Sequence, residues 1–263
     1  MTAKNNPLLN WLESNTLRSI IFDFDGTLLD INEPLKRSID EVLKENKIKY
    51  DMEKTIKEIG AVIESVQGYP LPKIILQSHQ IFEHITSLSD LTFLKKLSIA
   101  TKIFSKYLEY EKDAKFFPEA MLLIKELSKK YDLYIVSHNQ TKNVVQHLKK
   151  ENCIEYFEDV FGADELPALK PDPRALQPVV SQYNPFHGNE FLMVGDMPTD
   201  IEAGREAGVW TVAIPSGISS KDILQNCYPD LLLESLEQLM EIFGIKYKEL
   251  TNSNEKNSLK IKS

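Results

Sequence analysis

The stretch Ile20-Ile21-Phe22-Asp23-Phe24-Asp25-Gly26-Thr27 decides how the rest of this chain is read: a short apolar run ends in two carboxylates, one residue apart, just before a glycine. Successive strand side chains point to opposite faces, so Asp23 and Asp25 share a side while Phe24 points away into a core. A strand is expected from about Arg18 to Asp23, after which Gly26 lets the backbone turn sharply and approach a ligand closely. Two acids at one strand end repel unless a cation or a shared proton compensates them. That is the arrangement expected of a Mg²⁺-assisted nucleophile with an acid/base partner, and it makes phosphoryl transfer the first hypothesis.

The composition narrows the alternatives. A chain of 263 residues can bury a substantial core as one large domain or two small ones. Hydrophobic residues at 42% and charged residues at 27% are ordinary for a globular protein, and favour no fibrous or disordered class. Against 31 basic residues stand 39 acidic ones, a formal net charge of −8. Nucleic acid is therefore not expected as a partner, because phosphate-backbone affinity is built from clustered Lys and Arg. The only cysteines are Cys153 and Cys227, with no CxxC pair, which argues against a disulfide framework or a zinc site and for a reducing compartment. No apolar run approaches the roughly 20 residues that span a bilayer. Met1 to Asn10 lack the basic start and long apolar stretch of a signal peptide, so no membrane partner and a cytoplasmic location are expected.

Periodicity divides the chain. Residues 1–17 are polar with a few apolar positions (Leu8, Leu9, Trp11, Leu12) and read as an N-terminal extension carrying a short helix. From 30 to 115 helix follows helix: Leu35, Ile39, Val42 and Leu43 keep helical spacing behind Pro34, as do Ile56, Ile59, Val62, Ile63 and Val66. Pro70 and Pro72 precede a further start, Leu91 to Tyr110 reads as a long helix, and no strand is expected in this block. After Phe117-Pro118 helices and strands alternate. Helices are expected over 118–130, 141–150, 174–183, 201–207 and 232–243, and strands over 131–136, 159–163, 190–194 and 209–214. Such alternation builds an α/β fold, a Rossmann-like parallel sheet with helices on both faces. The core then comprises 18–29 and 116–250, the helical block 30–115 is an insertion, and 251–263 is a polar tail expected to be disordered. Ligands of such sheets bind at the carboxyl ends of the strands, so the insertion starts beside the presumed site.

Four chain segments offer polar groups there. Asp23 and Asp25 follow the first strand; Ser137, in Leu133-Tyr134-Ile135-Val136-Ser137-His138-Asn139, follows the second just ahead of a helix, a natural seat for an anion. Leu169-Lys170-Pro171-Asp172-Pro173 presents an ammonium on a stiff loop, and Gly195-Asp196-Met197-Pro198-Thr199-Asp200 adds two carboxylates around a turn. Two acid pairs, a hydroxyl and a lysine are what phosphoryl transfer through a carboxylate needs.

In these motifs the chain resembles the haloacid dehalogenase (HAD) superfamily, and specifically its phosphatases. All four motifs stand in order, Asp23-Phe24-Asp25-Gly26-Thr27, Ser137, Lys170, and Gly195-Asp196 with Asp200, and the resemblance covers about residues 18–245. It implies a HAD-like core with an all-helical cap inserted after the first motif, as in phosphoglycolate phosphatases and β-phosphoglucomutases. It also implies Asp23 as nucleophile forming an aspartyl phosphate, and Asp25 as acid and then base. Mg²⁺ would be held by Asp23, the Asp25 backbone carbonyl and Asp196, with Asp200 holding a metal-bound water or the Lys170 ammonium. The phosphoryl oxygens would meet Ser137, Lys170 and the N–H groups around Gly26 and Thr27. The residue after Ser137 is often small or an amide in this family, whereas here it is His138, which either reaches substrate or shapes the pocket wall. Dehalogenase chemistry is disfavoured, because those relatives lack the second acid.

The expected substrate is a small phosphate ester, phosphoglycolate-like or a sugar phosphate; monomer and dimer both stay open. A phosphomutase of the β-phosphoglucomutase type is the alternative, and a non-catalytic binding module a more distant one, since neither Asp23 nor Asp25 has been lost. Asp30, Asp164 and Asp172 read as turn or cap residues, and Tyr107, Tyr110, Phe116 and Phe117 as core and hinge packing. His79 and His84 do not share a helical face well. Lys36 and Arg37 are balanced between solvated charge and recognition of an anionic leaving group.

Overall fold

In the computed structural model, which describes residues 6–12, 16–56, 58, 85–183, 185 and 187–246, the apolar run before Asp23 is strand β1 (Ser19–Phe22), buried along its whole length. It lies at the centre of a six-stranded parallel sheet. On one side are β4 (Asp132–Val136) and β5 (Asp159–Phe161), and on the other β6 (Phe191–Gly195), β7 (Trp210–Ala213) and β8 (Leu231–Leu232). The pairing is in step across the middle: Phe22 faces Ile135 of β4 and Val194 of β6. Chain order thus runs outward in both directions from β1. That makes its carboxyl end a topological switch point, where the loops part and leave a crevice.

The two sheet faces bury different residues, as strand alternation requires. Ile20, Phe22, Leu133, Ile135, Leu192 and Val194 belong to one core with the apolar stripes of α4 (Ala120–Leu127), α5 (Thr141–Lys150) and α9 (Leu236–Ile242). Ile21, Tyr134, Val136, Phe191 and Met193 face the other way, under a 3₁₀ turn (Pro173–Leu176) and α6 (Gln177–Val180). Helix α7 (Pro198–Glu206) packs on β6 and β7, and α8 (Lys221–Asn226) lies against it. The extension docks a short helix, α1 (Pro7–Leu12), with Leu8 fully buried and Trp11 5.6 Å from Trp210.

Between β1 and α4 the chain leaves the sheet and returns. Helices α2 (Asn32–Glu45) and α3 (Phe93–Glu111) pack against each other through Leu35, Ile39, Val42, Ile99, Ile103 and Tyr107. Where the inserted chain begins and ends, β2 (Leu29–Asp30) and β3 (Lys115–Phe116) pair antiparallel. The block expected to hold no strand therefore has one strand residue at each end, in a ladder too short to register in a period-two pattern.

Other boundaries shift for physical reasons. Leu232, expected as the first residue of the last helix, instead forms with Leu231 an edge strand parallel to β7, and the helix starts at Leu236 behind the Ser235 cap. Residues 174–183, expected as one helix, split into the 3₁₀ turn and α6, since Pro178 cannot donate within a continuous helix. Helix α8 was not expected; it is only six residues long and shows no sustained period. The expected helical pattern at Ile59 to Val66, the Pro70–Pro72 start, His79, His84 and the tail from Thr251 lie outside the described residues. Among the described residues no helix is long and apolar enough to cross a membrane.

Phe24, fully buried between the two acids, packs edge-on against Phe116 with ring centroids 5.7 Å apart, and so joins the acid loop to β3. Phe24→Ala removes this ring from the largest core cluster and is expected to cost about 3–5 kcal/mol. For a chain of this size that lowers the thermal midpoint by roughly 6–20 °C. A melt followed by circular dichroism checks it, and a loss under about 2 °C would deny Phe24 that packing role.

Candidate active site

Three strand ends and one loop meet at the switch point. After β1 the ladder continues one residue further, Asp23 N–H donating to the Val194 carbonyl at 2.9 Å. The chain then curls tightly: the Phe24 carbonyl accepts from Thr27, Leu28 and Leu29, and Gly26 adopts φ +84°, open to glycine at little cost. After β4, Ser137 is 1% exposed and its Oγ accepts from the Asn139 N–H at 3.0 Å. After β6, Asp196 precedes α7, and Asp200 in the first turn of that helix accepts the Met197 N–H at 3.0 Å.

Lys170 ties these ends together. Its Nζ lies 2.6 Å from an oxygen of Asp23, 2.6 Å from an oxygen of Asp200, and donates to the Val136 carbonyl at 2.8 Å. Burial by itself would draw a proton off this ammonium, but the charges of Asp200 and Asp23 outweigh it and hold the lysine pKa above its ordinary value. Asp23, Asp196 and Asp200, all buried, bring carboxylate oxygens within 4.8 Å of one another. One ammonium among three such acids leaves excess negative charge in a poorly solvated place, and oxygen donors of this kind suit a hard divalent cation. The Asp196 carboxylate fits between two glycines: a Cβ on either Gly26 or Gly217 would overlap it. Thr27 Oγ1 donates to the other edge of that carboxylate at 2.8 Å. So the residues present fit a cation: Asp23 and Asp196 could ligate it directly, while Asp200 is shared with Lys170.

Asp25 is turned elsewhere. Its Oδ1 accepts from Asn139 Nδ2 at 3.4 Å, and the same nitrogen reaches Glu111 Oε1 at 3.3 Å. Burial, then the neighbouring charges of Glu111 and Asp23, push the Asp25 carboxyl well above the usual carboxylate range. A carboxyl shifted in this direction favours its protonated form, the form that protonation of a leaving group needs.

The sequence candidates fare individually. Asp23, Asp196, Asp200 and Lys170 converge, with Ser137 on the adjoining strand end. Gly26 and Thr27, expected at a phosphoryl group, have their N–H groups bonded inside the turn, to Leu29 and Phe24, and the Thr27 hydroxyl faces Asp196. Their observed part is to shape the loop and seat Asp196. His138 is half-buried; burial and then the Lys170 charge lower its pKa to about 3, so its imidazole is neutral and adds no cation to the site. Lys36 and Arg37 are exposed on α2, Lys36 beside Glu33 and Arg37 stacked 3.9 Å over Tyr110, which favours the solvated reading. Asp30, Asp164 and Asp172 accept nearby backbone N–H groups, as turn and cap residues do.

Sequence reasoning missed Glu111, Asn139, His147 and Gly217. For two of them a signal existed. Glu111 extends the buried stripe Ile99, Ile103, Tyr107 at four-residue spacing, and His147 sits within the buried stripe Val144, His147, Leu148. A polar residue at an apolar-stripe position on each of two helices announces a buried pair, and the two side chains meet at 3.1 Å.

Residues 20–214 match the family model for haloacid dehalogenase-like hydrolases. Among curated relatives, the chain is 25% identical over 230 residues to the pyrophosphatase PpaX of Oceanobacillus iheyensis, covering 87% of this chain and 98% of that one. It is 25% identical over 230 residues to a phosphoglycolate phosphatase of Vibrio vulnificus, covering 86% and 96%. Among solved structures it superimposes on magnesium-bound YfnB of Bacillus subtilis with a TM-score of 0.64 at 18% identity, covering 87% of this chain and 99% of that one. The last is a likeness of fold.

Replacing the buried ammonium tests the electrostatic account. Lys170→Met leaves Asp23 and Asp200 facing each other in the interior, and breaking such a pair is expected to cost about 3–5 kcal/mol. In the unaltered protein the raised lysine pKa keeps Lys170 charged at every pH below the lysine's ordinary titration, so acidification does not discharge it. In the variant, falling pH protonates Asp200, whose carboxyl burial already holds above the usual carboxylate range, and relieves the repulsion. The deficit in thermal midpoint is thus larger at pH 8 than at pH 5; a deficit independent of pH would contradict the account.

Proposed function

The chain belongs to the haloacid dehalogenase-like hydrolase family, and from that premise we propose that it is a Mg²⁺-dependent phosphomonoesterase working through a phosphoaspartate on Asp23. The observation that carries this reading is the Asp23 carboxylate itself, buried at the switch point with one oxygen 2.6 Å from Lys170 and the oxygens of Asp196 beside it. In the first step a carboxylate oxygen of Asp23 forms a bond to phosphorus while the ester P–O bond breaks. Asp25 gives its proton to the departing oxygen, which leaves as a neutral alcohol. In the second, a water oxygen attacks the same phosphorus, Asp25 takes the water's proton, and the bond to Asp23 breaks, releasing inorganic phosphate and the free enzyme. Lys170 and Ser137 bind phosphoryl oxygens, where the negative charge resides. Asp23, Asp196 and the Asp25 carbonyl, with Asp200 behind them, would hold Mg²⁺, which when bound would neutralise phosphate charge and let a carboxylate approach an anion.

Residues 30–115 are the cap and 18–29 with 116–250 the catalytic core; closure over the crevice excludes water during the first transfer, and reopening releases the alcohol. The substrate class is a small phosphorylated metabolite. The named relatives support starting with phosphoglycolate and pyrophosphate, followed by hexose phosphates.

A phosphate-release screen over these compounds is expected to give turnover that EDTA abolishes and Mg²⁺ restores. Asp23→Asn should lower kcat by at least ~10³-fold, as removal of a covalent nucleophile does. Undiminished activity in that variant removes Asp23 from the mechanism, and faster isomerisation of a hexose phosphate than phosphate release makes the protein a mutase instead. Without substrate, Mg²⁺ at a hundred times its dissociation constant should stabilise the fold by about 2.7 kcal/mol, read as a raised thermal midpoint. Asp196→Asn should lose that rise.

A further inference from the structure

Asn139 and Glu111 form a polar chain that leads from the inserted helices to Asp25. Glu111 is the last residue of α3, and only 3% exposed. Its Oε1 faces His147 Nε2 at 3.1 Å and Asn139 Nδ2 at 3.3 Å. Asn139 in turn bridges two carboxylates with one amide nitrogen, which has two hydrogens, one for each. The far end of that amide is fixed as well. Its Oδ1 accepts from the Gln140 N–H at 2.8 Å and from Asn143 Nδ2 at 3.0 Å, so the NH₂ end must face the acids. Two core side chains, His147 and Asn139, thus converge on a single buried carboxylate from the insertion.

Removing that carboxylate frees one hydrogen of the bridging amide. The NH₂ group would then be free to turn toward another partner, taking with it the contact that sets the direction of the Asp25 carboxyl. The bonds to Asp25 and Glu111 are long, as catalytic hydrogen bonds commonly are before substrate arrives. Orientation of a proton donor matters steeply, because the acid must lie on the line of the breaking bond when charge develops there.

We propose that Glu111 is a positioning residue for the hydrolysis: from the end of the cap helix it holds Asn139, and Asn139 aims Asp25 at the leaving oxygen. The proposal rests on the phosphatase reading and makes the cap a supplier of acid/base alignment as well as of cover. A helix that carries part of the support for the core's proton donor cannot shift without changing that donor's aim.

The test compares two esters that differ in their need for an acid: glycerol phosphate, whose alkoxide must be protonated as it leaves, and 2,4-dinitrophenyl phosphate, whose phenolate leaves unaided. The parameter kcat/KM reports events up to transfer to Asp23. Glu111→Ala is expected to lower it about tenfold or more for glycerol phosphate, a fraction of the roughly 10²–10⁴-fold that a positioned acid supplies. For the dinitrophenyl ester it should change by less than about threefold, since no proton is needed there. Glu111→Gln keeps an acceptor in place and should restore the alkyl ester's kcat/KM to within about threefold. Asn139→Ala, which leaves the Glu111–His147 pair intact, should show the same split and decides the matter if Glu111→Ala does not fold. Equal losses on both esters, or no loss on glycerol phosphate, overturn the proposal while the phosphatase reading stands. Failure of the unaltered protein to release phosphate from either ester overturns that reading and this proposal together.

Discussion

The contact between one ammonium and two carboxylates at the end of the central strand governs the rest of this molecule. Lys170 is drawn into a place with almost no solvent, where an unpaired charge would be expelled, and stays because Asp23 and Asp200 lie on either side at 2.6 Å. Each partner comes from a different segment of chain. None could be buried alone, so the charges constrain the loops as firmly as the apolar residues constrain the sheet. Even so, the balance is incomplete: Asp196 adds negative charge that Lys170, already shared by Asp23 and Asp200, cannot cancel. A site left short of positive charge attracts a cation, and a site holding a cation attracts phosphate.

Sheet topology explains why residues so far apart in sequence meet. With β1 in the middle and chain order running outward both ways, the loops after β1, β4 and β6 open at neighbouring points of one edge. Position 23 is thereby placed beside positions 137 and 196, whatever the intervening helices do. The parallel arrangement also gives both sheet faces to helices, which is why β1 and β6 are apolar apart from Ser19 at the start of β1, and their carboxylates stand at the residue that follows each strand.

That rule also separates what could be read in the sequence from what could not. Strands buried on both faces announce themselves as short apolar runs, so Ile20-Ile21-Phe22 and Leu192-Met193-Val194 were legible, as were the acids that follow them. The pair Leu231–Leu232 was not, because two residues have no period and Leu232 reads as the start of the helix beyond. Within the site, carboxylates carried by motifs could be named, but the direction of each side chain could not. Thr27 meets Asp196, and Asp25 meets Asn139, through three-dimensional neighbours that spacing along the chain does not encode. Glu111 and His147 lay between these cases. Each interrupts an apolar stripe, a sign visible in the sequence, yet only the meeting of α3 with α5 shows that the two interruptions answer one another.

The two-residue ribbon of β2 and β3 has a bearing on how such a protein changes over generations. Because Leu29 stands opposite Phe116 and Asp30 opposite Lys115, everything between them departs from and rejoins the sheet at a single spot. To the core it is one excursion whose ends are already closed, so lengthening, shortening or redesigning its distant parts perturbs no strand register; even doubling a flexible excursion adds only about 0.6 kcal/mol of closure entropy. Selection can therefore rework what the excursion admits while the carboxylates beneath keep their places, with the segment near Glu111 as the stretch least free to drift.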